Sequence, residues 1–290
     1  FKQLSIVFFR VIVYGNLVGK HIFIINAVRH IVRHLYLTAR YTVILIGKLV
    51  YRAHAAVIRY TCRGRRIMRP IAKIYTDFPE KFGLPRQSGL VENLRGKIVF
   101  EPEYRDISAV RGLEEYSHIW LLWEFSGFKG GDWSPTVRPP RLGGNARMGV
   151  FATRSPFRPN PIGLSSVTLE EVRLHTPEGP VLVVGGADLM DGTPIYDIKP
   201  YLPYADCHPD ATDAFEESRS AKPLEVVFPD VLLQKIPTDK RAGLMQALSQ
   251  NPRPGYHHDS NRRYGFNFAG FDVRFQIDGD TLTVVEIVAL

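Results

Sequence analysis

Cysteine is nearly absent: the 290 residues hold two, Cys62 and Cys207. Two cysteines so far apart give no disulfide framework and no zinc-ligand spacing. They read as thiols of a reducing compartment, and the expected location is cytoplasmic. Acidic residues are missing from the first 67 positions, which carry twelve Lys or Arg. Long apolar runs are missing there too. The longest stretch of that leader free of Lys and Arg is Val11–Gly19, far below the roughly 20 apolar residues of a membrane span. No apolar region followed by a small-residue cleavage site marks a secretory signal. Serine in residues 1–67 is confined to Ser5, unlike the Ser-rich mitochondrial transit peptides. Also absent are G-x-G-x-x-G after a strand, G-x-x-x-x-G-K-[ST], G-x-S-x-G and H-E-x-x-H. The common nucleotide folds, the hydrolase elbow and the zincin helix are thereby unsupported, and no metal is expected.

What is present describes a globular protein, with 45% hydrophobic, 11% aromatic and 23% charged residues. The formal charge of +8 is misleading, because all the excess lies in residues 1–67. From Met68 onward, 25 Lys or Arg face 29 Asp or Glu, a formal −4. A global pI therefore says nothing about nucleic-acid binding by the body. The leader itself has three readings. A translation extended upstream of a start at Met68 is favoured over a basic targeting or membrane-surface arm and over an RNA-binding extension. No membrane partner is expected.

Beyond Met68 the pattern is strand-like. Short apolar or β-branched runs recur at Arg69–Tyr75, Lys97–Glu101, Ile119–Phe125, Met148–Ala152, Leu164–Val172, Val181–Val184, Leu224–Phe228, Phe271–Ile277 and Leu282–Val288. Asp278-Gly279-Asp280 between the last two is a hairpin signal. Gly185-Gly186 suggests a bulge or a close backbone approach. One helix is expected over Asp239–Gln250, capped by Thr238 and stopped by Asn251-Pro252. Many strands with few crossovers point to a mainly β protein, an antiparallel barrel or sandwich. The acidic, Pro-flanked segment 206–223 reads as a linker between a β-rich domain at 68–205 and a small α+β domain at 224–290.

The chemistry is expected in loops rich in Pro, Gly, Arg and Asn: Thr136–Asn145, Phe151–Ser165 and Asp188–Lys199. In the second, Arg154 and Arg158 stand among Pro156, Pro159 and Pro161. A stiff loop presenting guanidiniums holds a carboxylate or phosphate; the plainer alternative is arginines that satisfy carbonyls. In the third, Asp188, Asp191 and Asp197 are able to accept from ribose hydroxyls or an amine, or simply to cap turns. His118 and the adjacent His257-His258 read as structural and solvated, and Trp120, Trp123 and Phe125 as core.

The segments FGLPRQSGL, VRGLEEYSHIWLLWEF, TVRPPRLGGNARMGVFATRSPFRPNPIGLSSV, DLMDGTPIYDIKPYLPYAD and NPRPGY resemble the TrmO (TsaA-like, YaeB-like) family of S-adenosylmethionine-dependent tRNA methyltransferases. The resemblance covers residues 70–290 and none of the leader. It implies a single-sheeted antiparallel β-barrel methyltransferase domain with a small C-terminal α+β domain, working as a homodimer with the donor near the subunit interface. It implies methylation of the exocyclic nitrogen of threonylcarbamoyl-adenosine in the tRNA anticodon loop. By motif, the S-adenosylmethionine contacts fall on Pro85, Arg86, Gln87, Ser126, Gly127, Arg154, Leu164, Asp188, Leu189, Met190 and Asp191. Ser126-Gly127 stands where the bacterial pattern tends to hold a polar pair such as His-Gln, which leaves that contact to the backbone. RNA contacts are expected from Arg138, Arg141, Arg147 and Arg158, and from Arg253, Tyr256, Arg262 and Arg263. The acceptor nitrogen bears a carbonyl and is a poor nucleophile, so a base would help. No residue is singled out as that base; Tyr196 and Asp197 are candidates. A non-catalytic RNA-binding barrel, a same-fold methyltransferase with another acceptor, and a hydrolase using His118 are the competing readings.

Overall fold

The computed structural model describes residues 30–35, 68–128, 133–139, 146–212, 223–253 and 259–290. The chain divides into two compact units, Phe1–Ile67 and Met68–Leu290. In the first, residues 30–35 are helical.

Six strands of the second unit close into a barrel: β1 (Ala72–Tyr75), β2 (Arg95–Phe100), β3 (His118–Glu124), β6 (Ile162–Arg173), β7 (Val181–Gly185) and β8 (Thr193–Pro200). Their order is β1-β2-β7-β6-β3-β8, and β8 returns to β1 through Ala72↔Ile195 and Ile74↔Thr193. Every pairing in the barrel is antiparallel. Alternation places one side of each strand inside: Ile119, Leu121 and Trp123 of β3 meet Val167, Leu182, Val184 and Ile195 in one buried core. Two short strands, β4 (Thr136–Val137) and β5 (Met148–Gly149), form a separate ribbon. The mainly β, antiparallel architecture expected from the sequence is what forms, as the closed barrel that the family resemblance implies.

A second sheet has the order β10 (Tyr264–Phe268), β11 (Phe271–Asp278), β12 (Thr281–Ala289) and β9 (Glu225–Val227), with β9 parallel to β12. The Asp278-Gly279-Asp280 turn joins β11 to β12, and Gly279 takes φ 55. The helix runs over Thr238–Ser249 and turns Leu244, Ala247 and Leu248 toward this sheet's core. Thr238 is not its cap. Pro237 holds that position and no side chain caps the helix, since the fixed φ of proline sets the entry angle in its place. Asn251 ends the helical stretch in the left-handed region, φ 53.

Residues of the segment between β1 and β2 complete the second core. Phe78, Val91 and Leu94 are buried with Phe266, Phe268 and Phe275. Lys240 pairs with Asp77 at 2.8 Å, Asn267 N donates to Glu80 Oε1 at 2.9 Å, and Ala269 N donates to the Asp77 carbonyl at 2.9 Å. This segment is thus anchored on the second sheet, which holds the Pro85–Gln87 turn at the barrel's rim.

Candidate functional site

Antiparallel pairing sends three connections to one barrel rim: those after β1, after β3 and after β7. They carry nearly all the residues expected to hold the donor. Gln87 from the first and Arg154 from the second meet in a short hydrogen bond, Arg154 Nη1 donating to Gln87 Oε1. Asp188 from the third lies close enough to Arg154 for its carboxyl to feel the guanidinium. Gly127 lies against Met190, whose Sδ would be 3.3 Å from an added Cβ. Gln87, Arg154 and Asp188 are thus brought together from three connections far apart in sequence.

The carboxyl of Asp188 is shifted by its surroundings. Burial pushes its carboxyl above the ordinary range, while the Ser165 hydroxyl, the Asp188 and Ser88 backbone amides and Arg154 pull it back. Ser165 Oγ donates to Asp188 Oδ1 at 2.6 Å, and Trp123 Nε1 donates to Ser165 Oγ at 3.0 Å. Gly163 permits this arrangement, because the Trp123 indole occupies the place where its Cβ would stand.

The neighbouring residues build the scaffold. Leu189 is buried, and its carbonyl accepts from Thr76 Oγ1 at 3.0 Å. Asp191 caps a turn: its Oδ1 accepts from Thr76 N at 3.0 Å and its own N donates to the Phe78 carbonyl at 2.8 Å. Thr193 Oγ1 donates to the Met190 carbonyl at 2.7 Å. Arg86 directs Nη2 to the carbonyls of Asn251 and Arg253, at 3.2 and 3.5 Å. It ties the turn to the second lobe, while Pro85 is buried beneath it. Ser126 is exposed beside Gly127. Leu164 does not join the cluster: it is 52% exposed, on the face of β6 opposite Ser165.

The two candidate bases lie on β8. Tyr196 donates a short hydrogen bond to Glu124 Oε2, and burial, with that carboxylate, pushes the phenol up to about 12. At neutral pH it is a hydrogen-bond donor. Asp197 accepts from Ile198 N at 3.0 Å and pairs with Lys199 at 3.0 Å. His118 heads β3, at the far end of that strand from the converging loops, with Nδ1 3.0 Å from Ser117 Oγ.

Of the expected RNA contacts, Arg138 and Arg147 are exposed beside the β4–β5 ribbon. Arg158 shows the plainer role foreseen for such loops. Its Nη1 donates to the Val150 and Thr153 carbonyls at 3.2 and 2.6 Å, and its guanidinium lies 5.7 Å from the Phe151 ring centre. Phe151 is 72% exposed and stacks on Trp133 at 6.4 Å. In the second lobe Arg262 and Arg263 are exposed, Arg262 lying 5.6 Å over the Tyr264 ring, while Arg253 is partly buried. Arg141, Tyr256 and His257-His258 lie outside the described residues, as does much of segment 206–223.

Sequence reasoning missed Thr76, Ser165 and Glu124, and took Trp123 as core alone. For Ser165 a signal exists: it is a polar residue on the inward parity of an otherwise apolar strand. Among the described residues, no cluster of three His, Cys, Asp or Glu is arranged to hold a metal ion, and no helix is long and apolar enough to cross a membrane.

A closed antiparallel barrel with an acid, a guanidinium and an amide gathered from three rim loops stands outside the doubly wound nucleotide folds. The model of the tRNA-methyltransferase O N-terminal domain matches residues 73–207, and that of the TrmO C-terminal domain matches 221–290. The chain belongs to the TrmO family, as its motifs suggest. It is 46% identical over 222 residues to the tRNA (adenine(37)-N6)-methyltransferase of Escherichia coli K12, covering 70% of this chain and 94% of that one. It is 41% identical over 218 residues to a putative S-adenosylmethionine-dependent methyltransferase, RcsF, of Pseudomonas aeruginosa PAO1, covering 71% of this chain and 90% of the other. The crystal structure of TrmO from Pseudomonas aeruginosa aligns with a TM-score of 0.62 at 33% identity, over 78% of this chain and 100% of that one.

Proposed function

We propose that the protein is an S-adenosylmethionine-dependent tRNA methyltransferase acting on the exocyclic nitrogen of adenosine 37, the position in its relatives' names, with threonylcarbamoyl-adenosine as the acceptor. The observation that carries this reading is the convergence of Gln87, Arg154 and Asp188 on one rim. The donor is a zwitterion with a sulfonium, and it supplies an electrophilic methyl group. The residues present fit it. A guanidinium takes a carboxylate, and a carboxylate takes an ammonium or ribose hydroxyls. Arg154 and Asp188 would hold the donor, with the Pro85–Gln87 turn and the Leu189–Asp191 backbone framing it. Positioning of this kind supplies much of the rate of an in-line displacement.

On the acceptor side, Arg138 and Arg147 would meet phosphates, and the exposed Trp133–Phe151 pair offers a stacking surface for an unpaired base. Arg253, Arg262 and Arg263 would grip the RNA from the second lobe. The exposed Leu164, on a β6 face left bare in one chain, supports a homodimer in which the partner covers it. A tRNA substrate is in keeping with the cytoplasmic location expected from the cysteine content.

Labelled donor incubated with the full chain and with tRNA, with or without the threonylcarbamoyl group, tests the reading. Label on modified tRNA alone is expected. Donor binding without transfer to either tRNA would name another acceptor, and no donor binding would favour the non-catalytic RNA-binding barrel.

A further inference from the structure

Ser165 and Thr193 are the buried polar side chains among the described residues. Thr193 bonds its own turn, at Met190 O. Ser165 is 1% exposed and bonds nothing in its own strand. Its single proton goes to Asp188 Oδ1 at 2.6 Å, and its lone pair receives the Trp123 indole N–H at 3.0 Å. The direction is forced. An indole nitrogen only donates, so once Trp123 Nε1 points at Ser165 the hydroxyl is free to donate onward. Asp188 is thereby offered a donor, which favours its ionised form.

We propose that Ser165, oriented by Trp123, is the positioning residue that fixes the Asp188 carboxylate at the donor site and holds it ionised. The inference rests on the reading of Asp188 as a donor contact. Asp188 sits where burial favours the neutral acid, and a neutral acid would not hold the donor's ammonium. The other groups acting on it are the Ser88 and Asp188 backbone amides and Arg154. Arg154 is shared with Gln87 and would be drawn away by the donor's own carboxylate. Asp191 is turned to Thr76 N and does not compensate. Ser165, with the two backbone amides, therefore supplies the part of the stabilisation that does not change when the site fills, and it is the largest of these. Gly163 belongs to the same device, since any side chain there would displace the Trp123 ring.

The test is the dissociation constant of S-adenosylmethionine, measured by calorimetry on the full chain across pH, for wild type, Ser165→Ala, Ser165→Thr and Asp188→Asn. In wild type, affinity falls as pH drops through the Asp188 titration. Ser165→Ala should move that fall to higher pH and weaken binding roughly ten- to hundredfold at neutral pH, the range of a hydrogen bond to a charge. Ser165→Thr, which keeps the hydroxyl, should restore the wild-type midpoint. Thermal melts of each variant separate this from misfolding. An unmoved midpoint in a folded Ser165→Ala protein would overturn the proposal. Normal, pH-independent binding by Asp188→Asn would overturn it by another route, showing that Asp188 does not contact the donor.

Discussion

Gly83 sits two residues before the Pro85–Gln87 turn, and replacing it with alanine tests how that turn is held. It has φ +89, a region alanine rarely adopts, and an added Cβ would lie 2.5 to 2.8 Å from the Phe266 ring. Two costs follow. A non-glycine residue with positive φ costs about 1–2 kcal/mol, and overpacking a filled core costs about 1–3 kcal/mol. Phe266 cannot yield easily: it is 1% exposed and packs edge-on to Phe275 at 5.9 Å and near Phe78 at 6.0 Å. Gly83→Ala should therefore lose roughly 2–5 kcal/mol, a fall in Tm of about 4–20 °C for a unit of this size. Gly112→Ala is the control, since Gly112 has φ +84 and nothing within 4 Å of its Cβ position. It carries the backbone cost alone. Melting followed by circular dichroism should rank wild type above Gly112→Ala and that above Gly83→Ala. Equal losses in the two variants would remove the ring contact from the account, and no loss in either would refute the reasoning about both.

Arg154→Ala should abolish methyl transfer with an unchanged melting temperature; near-normal turnover would take Arg154 out of the site. Arg253→Ala combined with Arg262→Ala should weaken tRNA binding and make the slope of log affinity against log salt shallower by about 1.4, the single-strand value for two lost phosphate contacts; an unchanged slope would separate the second lobe from the RNA. Tyr196 carries a phenol raised from 10.0 to about 12 in the folded state. A raised folded value means stability that is complete below about pH 10 and lost as pH rises toward about 12. Tyr196→Phe should flatten the fall in Tm across that window, and an identical fall would show that the Tyr196–Glu124 bond is not made. Removing residues 1–67 should leave methyl transfer unchanged, because Met68–Leu290 is compact by itself; lost tRNA affinity would give the basic leader an RNA role.

What was legible in the sequence divides by range. Strands whose pattern is local were readable: β11 and β12 alternate around an Asp-Gly turn, and β3 is a long aromatic run. β8 was not, because Pro194 and Pro200 and the preceding Gly192 look like breakers. The structure tolerates them at the strand's ends, where Pro194 pairs with Lys73 of the short β1 and Pro200 with Ile119. That one strand closes the barrel. Read as loop, it hides the return of β8 to β1, and with it the reason Asp188 comes to the rim that carries Gln87 and Arg154. Residue types named the donor-binding candidates through the family motifs, but the partners that tune them obey a different rule. Ser165 and Asp188 are 23 positions apart, and Trp123 reaches Ser165 because β3 pairs with β6, Trp123 opposite Gly163. No periodicity encodes such a triad. It exists because an inward serine, an absent side chain at Gly163 and a barrel wall bring an indole, a hydroxyl and a carboxylate into line. The charge of the site is thus set by the fold's interior, one layer behind the residues that would touch a ligand, and substitutions in that layer should alter affinity and its pH dependence before they alter any contact.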